Sequence, residues 1–256
     1  MIYGLYSSAF GGKIEMTRAD IIANNLANMD TSGFRKDFIS FRERLSESML
    51  KSLPPEMSDK VQNSLTEGPV IYSTNFEKKN SNSKYKETNQ PLDLAINGDG
   101  YFTVKKDDKV FYTREGDFTL DNEGFVCLPD GQSRLLNIDG EEIQLNSTEN
   151  LNITREGDII TNGTGVGRIG IVDITDPENL KKIGNSLIEY TGSNEALPAQ
   201  NLNVQQGFIE LSTVNPVEEM RDMIETNRLF EGNMRMMTLQ NETLERAANN
   251  LARIPS

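Results

Sequence analysis

The sequence predicts a mainly β fold: a central antiparallel all-β domain flanked by N- and C-terminal helices that pair as a coiled-coil-like polymerisation domain. Short strand-like runs separated by Asp-Gly and Asn-Gly turns fill residues 91–206. Apolar residues recur at helical spacing in residues 1–29 and again in 216–253. The pentapeptide Ala-Asn-Asn-Leu-Ala occurs in both segments, at 23–27 and 248–252. This repeat indicates that the two ends of the chain do the same kind of work.

The first segment, residues 1–45, is expected to hold one long helix followed by an arm. Its apolar and small residues lie three and four positions apart, which is the spacing of a coiled-coil seam. These are Ile2, Leu5, Ala9, Gly12, Met16, Ala19, Ala23 and Leu26. Turn-forming residues 28–33 end the helix, and Phe34, Phe38 and Phe41 then fit either a short second helix or an extended arm. An ordinary amphipathic helix packed on a core is the alternative to a seam.

The central part of the chain divides into a connector, residues 46–90, and a β domain, residues 91–206. Pro54-Pro55, Gly68-Pro69 and a Lys- and Asn-rich run indicate the connector, in which Val70–Tyr72 could form a strand. In the β domain, residues 101–104 and 110–113 are predicted to form one hairpin, and residues 118–120 and 125–128 another.

The last segment, residues 207–256, is predicted to form a second helix. Asn215 is the expected N-cap, with Pro216 at the first helical position. A seven-residue repeat follows, made of Met223, Phe230, Met237, Leu244 and Leu251. Its expected partner row is Met220, Asn227, Met234, Asn241 and Ala248. The two asparagines in that row would cost stability and set the register of a coiled coil.

Composition excludes several functions. A net charge of −13 disfavours binding to nucleic acid or to an anionic membrane surface, because both need a basic face. Residues 1–50 carry six basic and six acidic side chains, so the negative charge lies mainly in the middle of the chain. A near-neutral end can pack against copies of itself without repulsion. Neither a secretory signal nor a membrane-spanning run of about 18 apolar residues is visible.

No catalytic, cofactor-binding or metal-binding residue is predicted. Gly165–Gly170 matches the glycine pattern of dinucleotide-binding folds, but strand-like residues follow it where that site needs a helix. The chain has no His to activate a serine or the single cysteine, Cys127. One cysteine also cannot form an internal disulfide. We therefore expect neither an enzyme nor a cofactor.

Several motifs resemble those of bacterial flagellar rod and hook proteins. At the N-terminal end they are Gly4–Ala9, Ala23–Asn28 and Thr31–Lys36. In the β domain they are Pro91–Ile96, Gly98–Phe102 and Tyr112–Phe118, and at the C-terminal end Asn215–Met220 and Ala248–Leu251. The sequence departs from the family at residues 76–90, at Leu211–Val214 and at Gly232.

The resemblance implies a structural axial subunit of the basal-body rod. Family members stack helically through their terminal helices into a tube that transmits torque, and are exported unfolded by the flagellar type III apparatus without a cleaved signal. The implied partners are copies of the chain, other rod and hook proteins and the export apparatus, at the rod that spans the periplasm. A proximal position is favoured over a distal-rod or hook-type one. A secreted β-domain binding module with coiled-coil ends is the other alternative, and would need an exposed aromatic cluster.

The candidate assembly interface combines the two seams with the repeated pentapeptide. Its residues are Leu5, Ala9, Met16, Ala23, Asn24, Asn25, Leu26, Asn28, Met223, Phe230, Met237, Leu244, Asn249, Asn250 and Leu251.

Overall fold

The computed structural model describes residues 2–43, 70–76, 83–145, 147, 150–174, 179–184, 186–192, 197–199 and 203–251. The chain divides into two compact units. The helical unit takes in residues 1–26, 37–75 and 215–256, and the β unit takes in residues 27–36 and 76–214. The four-segment division expected from the sequence stays a prediction. Within the described ranges, no helix has the length and apolar character needed to cross a bilayer.

The helical unit contains two long helices and a strand pair. Helix α1 spans Ile2–Ala27 and helix α2 spans Pro216–Leu251. Asn215 caps α2 as expected, because its side-chain Oδ1 accepts a hydrogen bond from the backbone N–H of Val217 at 3.2 Å. Strand β1, Asp37–Glu43, pairs with β2, Val70–Phe76. The arm after α1 is therefore extended, which decides between the two alternatives left by the sequence.

The β unit is built from sixteen short strands within the described residues. They are β3 Tyr85–Glu87, β4 Leu94–Ile96, β5 Tyr101–Lys106, β6 Lys109–Thr113, β7 Thr119–Leu120, β8 Val126–Cys127, β9 Arg134–Leu135, β10 Leu151–Ile153, β11 Asp158–Thr161, β12 Thr164–Arg168, β13 Ile171–Asp173, β14 Leu180–Ile183, β15 Leu187–Tyr190, β16 Leu197–Pro198, β17 Val204–Gln206 and β18 Phe208–Glu210.

The strands of the β unit pair antiparallel. The largest sheet has the order β14-β15-β6-β5-β9-β8-β7, and β13 joins it by pairing with β5 and β16. A three-stranded sheet has the order β10-β11-β12, and the pairs β17-β4 and β18-β3 complete the unit. Both predicted hairpins are present, β5 with β6 and β7 with β8. The mainly β fold with flanking helices is thus confirmed.

The core of the β unit is one large apolar cluster drawn from most of its sheets, with a second, smaller cluster around Tyr101. Phe102 and Phe118 meet edge to face, with ring centroids 5.2 Å apart. Tyr101, Phe102 and Phe111 are buried and Tyr112 is half-buried. The exposed aromatic cluster that a binding module would need is therefore not formed by these four residues. Gly165 and Gly167 lie in the exposed strand β12, and Cys127 is buried.

The loop after α1, residues 27–36, belongs to the β unit. The backbone N–H of Gly33 donates to the carbonyl of Glu210 at 2.8 Å, and that of Thr213 donates to the carbonyl of Phe34 at 3.1 Å. The Phe34 ring is fully buried, with the Lys182 ammonium 3.6 Å from its centroid. These contacts fasten residues 31–36 to the last residues before α2, about 175 positions later in the chain.

Candidate assembly surface

Helices α1 and α2 pack against each other antiparallel. A Cβ placed on Gly4 would lie 3.0 Å from Nε2 of Gln240, and one on Gly11 would lie 3.1 Å from Oδ1 of Asn233. At the other end of the pair, Nδ2 of Asn25 donates to Oε2 of Glu219 at 3.2 Å. Positions thus rise along α1 as they fall along α2. The glycines let the two helices approach closely, since a larger side chain would collide with the facing amide.

The seven-residue repeat of α2 lies on the face that packs against α1. Met223, Phe230, Met237 and Leu244 are half-buried, and the Phe230 ring lies against Gly12. The residues that alternate with them are not those expected from the sequence. The observed row is Glu219, Thr226, Asn233, Gln240 and Ala247, whereas Met220, Asn227, Met234, Asn241 and Ala248 are all exposed. The contact between the helices is therefore more polar than the sequence suggested.

The same polar character continues on α1. Asn25 is buried and makes three hydrogen bonds: its Nδ2 donates to Glu219 and to the carbonyl of Asp37, and its Oδ1 accepts from the N–H of Asp37. Buried side-chain oxygens of Glu15, Thr226 and Gln240 have no hydrogen-bond partner within the described part of the chain. Each such atom costs about 1–3 kcal/mol. Buried polar side chains therefore share the contact between α1 and α2 with the apolar row of α2.

The apolar residues that the polar contact leaves out form a row on the solvent side of α2. Leu229, Gly232, Met236 and Leu239 follow one another at intervals of three, four and three residues, which places them along one line of the helix. We call them the outer row. Leu229, Met236 and Leu239 are 44%, 52% and 53% exposed, and no atom lies within 4 Å of a Cβ placed on Gly232. Other large apolar side chains on these helices are also exposed, namely Tyr6, Met16, Val217, Met220, Ile224 and Met234.

The residues of the predicted interface fall into three groups. The first group is buried or half-buried on the two helices and consists of Leu5, Asn25, Leu26, Met223, Phe230, Met237 and Leu244. Asn28 is also buried, but it lies in the loop that belongs to the β unit. Exposed members are Ala9, Met16, Ala23, Asn24 and Asn249. The side chains of Asn250 and Leu251 lie outside the described part of the chain. Sequence reasoning missed Glu219, Thr226 and Asn233, because a search for apolar periodicity passes over polar seam positions.

A buried ionic cluster supports the loop that follows α1. Nη2 of Arg35 donates to Oε1 of Glu210 at 2.6 Å, and Nη1 of Arg114 donates to Oε2 at 3.4 Å. Arg114 also donates to the carbonyls of Ile96 and Gly98, and Oγ of Ser83 donates to Glu210. Desolvation lowers the pKa of Arg114, although the charge of Glu210 opposes that change. The cluster joins the loop to four distant parts of the β unit, at Ser83, Ile96–Gly98, Arg114 and Glu210.

Among the residues that the structure describes, no group of three or more acidic or Cys side chains is placed to hold a metal ion. Near the surface, the hydrogen bond from Arg134 lowers the pKa of Glu142, and the two side chains form an ion pair at 2.8 Å.

Comparison with known protein families places three segments of the chain. Residues 15–35 match the model "Flagella basal body rod protein", residues 95–164 match "Flagellar hook protein FlgE/F/G D1 domain", and residues 205–251 match "Flagellar basal body rod FlgEFG protein C-terminal". The first match covers the second half of α1 and most of the loop that follows it, and the last match covers all of α2.

Curated relatives match over nearly the whole chain. The flagellar basal-body rod protein FlgG of Bacillus subtilis (strain 168) is 32% identical over 97% of this chain and 99% of its own length. A flagellar basal-body rod protein FlgF of Caulobacter vibrioides is 30% identical over 92% of each chain. FlgG of Borreliella burgdorferi is 29% identical over 99% of this chain and 100% of its own. The chain therefore belongs to the flagellar basal-body rod protein family, and it is a structural subunit of that rod.

Proposed function

We propose that this subunit polymerises through its terminal helices into a helical tube that transmits torque, with the outer row of α2 as the contact between subunits. The observation that carries this proposal is a second apolar row on α2. The row from Met223 to Leu244 packs towards α1 together with polar residues, while Leu229, Met236 and Leu239 are exposed on another side of the same helix. Exposed apolar rows of this kind mark interaction surfaces.

The energetics favour assembly over a free helix pair. Burying a half-exposed Leu or Met side chain contributes about 1–2 kcal/mol. A neighbouring subunit that covers the three large side chains of the outer row would thus add several such contributions, repeated at every contact of the tube.

The partners of this subunit are copies of itself, other rod and hook proteins, and the flagellar export apparatus. No catalytic step is needed for the role, and we propose none. The subunit reaches the rod by export without a cleaved signal. Its proximal position along the rod stays a prediction, because relatives named FlgG and relatives named FlgF both match most of the chain.

A cysteine at the outer row tests the contact directly. Cys127 is buried, so Leu239→Cys would supply the reactive thiol. In purified basal bodies, a short bismaleimide should join neighbouring subunits that carry Leu239→Cys into dimers. The control is Thr238→Cys, one position away on the exposed surface and outside the outer row.

The readout is the pattern of cross-linked species on a denaturing gel. A dimer yield from Leu239→Cys that is several times higher than the yield from Thr238→Cys would support the proposal. Equal labelling of both variants by a monofunctional maleimide in assembled material, with no dimer from either, would show that the outer row faces solvent and would refute it.

A further inference from the structure

A cavity of about 520 Å³ opens on the β unit beside the loop that follows α1. Part of its wall is apolar, formed by Phe111, Leu128 and Leu187. Another part is charged: Glu115, Asp130 and Lys106 all line it. The volume is large enough for a long side chain and the backbone that carries it, since ligand pockets begin at about 300 Å³.

The two carboxylates in this wall have different surroundings. Asp130 is paired with Lys106, whose Nζ lies 2.9 Å from Oδ2. Although desolvation opposes the change, hydrogen bonds from Lys106 and from neighbouring backbone and Ser133 hold the pKa of Asp130 at about 2. Glu115 has no ion-pair partner among the described residues. Burial, with a further contribution from Asp117 and Asp130, raises its pKa to about 7 despite the hydrogen bond from Ser186.

The geometry of Glu115 restricts what could pair with it. Its Oε2 already accepts a hydrogen bond from Oγ of Ser186, so a partner that binds both oxygens must share Oε2 with Ser186, whereas a partner that binds one oxygen can use Oε1 alone. A guanidinium binds carboxylates best through two parallel hydrogen bonds, which needs both oxygens. An ammonium is a compact charge that a single oxygen can hold, and its four-carbon stem buries readily along apolar surface.

We propose that this cavity binds the side chain of a lysine presented by a neighbouring axial subunit, with the ammonium on Glu115 and the methylene stem against Phe111, Leu128 and Leu187. The neighbour as the source of the lysine rests on the proposed assembly; the cavity's preference for an ammonium does not. The walls complement such a side chain in charge, because Asp107, Glu115 and Asp130 face the cavity with Lys106 as the one cation among the described lining residues.

The pairing is pH-dependent, with a sign that follows from the chemistry. The ammonium binds the ionised carboxylate, so its binding releases a proton from Glu115 and strengthens as pH rises through about 7. The other charged groups facing Glu115 are Asp117, Asp130, Lys106 and Asp107, beside the hydroxyl of Ser186, and the pKa of Asp130 is held well below this range, at about 2. We therefore expect affinity to fall about tenfold or more between about pH 8 and about pH 5.5.

The test uses the full-length protein and a small probe, Nα-acetyl-lysine N-methylamide. The analogues of norleucine and arginine serve as the neutral and bidentate comparisons. Side-chain carboxyl NMR signals of Glu115 and the methyl signals of Leu128 and Leu187 report binding. The lysine probe should bind more tightly than either analogue, and Glu115→Gln should weaken it about tenfold while Glu141→Gln, an exposed carboxylate, should not.

Each result decides the proposal. Equal binding of the lysine and norleucine probes, tighter binding of the arginine probe, or no binding of any probe would overturn it, and these comparisons need only the wild-type protein should Glu115→Gln fail to fold. Zero-length carbodiimide coupling of basal bodies assembled from mixed ¹⁴N and ¹⁵N subunits then tests the source. A cross-linked peptide that joins Glu115 of one isotope to a lysine of the other would support a neighbouring subunit as the source of the lysine. Probe binding without that peptide would refute this source and would leave the proposed assembly through the outer row untouched.

Discussion

Glu210 holds together the end of the β unit and the loop that follows the first helix. Its carboxylate accepts from Arg35, Arg114 and Ser83, and its backbone carbonyl accepts from Gly33. These four groups come from three parts of the chain, because Gly33 and Arg35 lie in the same loop, and both arginines are buried. Removing one member of a buried ion cluster leaves uncompensated charge, which costs more than the intact cluster contributes.

Glu210→Gln is therefore expected to destabilise the protein by about 3–5 kcal/mol, because two buried guanidinium groups lose their carboxylate. The measurement is urea unfolding followed by far-UV circular dichroism. Asp158→Asn is the control: it breaks the surface pair with Arg168 and should leave the unfolding midpoint almost unchanged. Similar midpoints for the two variants would contradict the role given to Glu210.

Gly33 is needed in the same loop for two separable reasons. Its φ is +63°, and a Cβ placed on it would overlap the backbone of Arg114 and Glu115. Gly131 has a similar φ of +67° but open space around it. Gly131→Ala should thus cost only the conformational term, about 1–2 kcal/mol, while Gly33→Ala should cost clearly more. Equal losses in free energy of unfolding would show that close packing at Gly33 contributes nothing.

The raised pKa of Glu115 also predicts how stability depends on pH. The pKa of Glu115 is about 7 in the folded state and has its ordinary value of about 4.5 in the unfolded state. The stability that this difference contributes is fully present below about pH 4.5 and is lost as pH rises through about 7. Glu115→Gln should remove that loss. We expect the variant to match the wild type near pH 4.5 and to exceed it at about pH 8 by about 1–2 kcal/mol, allowing for solvent screening. Parallel stability curves across this range would contradict the assignment.

At the scale of elements, the loop after α1 belongs to the sheets rather than to the helix it follows. Residues 27–36 join the β unit through Gly33, Phe34 and Arg35. The prediction concerns two fragments, residues 27–214 and residues 37–214. The longer one should fold cooperatively, and the shorter one should be less stable by about 3 kcal/mol or more because the burial of Phe34 and the Arg35–Glu210 pair are lost. Matching urea midpoints would place the loop outside the β unit.

The elements also show what the sequence could and could not disclose. Turn chemistry and apolar alternation were enough to place both hairpins, the cap at Asn215 and the extent of α2. The row of Met223 and Phe230 lies towards α1, but the residues that alternate with it there are displaced by one position from the expected row, since Thr226 and Asn233 resemble surface positions in any apolar count. Asn233 lies against Gly11 and Glu219 accepts from Asn25, each more than 190 positions away in the chain, and no local pattern carries that information.

The Arg35–Arg114–Glu210 cluster was likewise beyond the reach of local patterns. Each residue lies in a polar context typical of a turn or strand end, and only the folded chain brings the three together. The resemblance to flagellar rod proteins supplied the family, whereas the physical patterns supplied the fold class.

At the scale of the whole molecule, charge and apolar surface are separated along the chain. The net charge of −13 lies mainly in the middle of the sequence, and the terminal helices are nearly neutral. A chain organised in this way keeps its acidic part hydrated while its ends associate. The outer row is therefore the surface through which we propose that subunits join.

The most direct test is the incorporation of a variant into the rod. Met236→Glu combined with Leu239→Glu would bury two unpaired carboxylates in the proposed contact, at a cost large enough to reduce assembly about tenfold or more. In cells that lack the unmodified subunit, we expect this variant to be produced and exported but missing from purified basal bodies, whereas Thr238→Glu should be incorporated. Normal incorporation of the double variant would contradict assembly through the outer row.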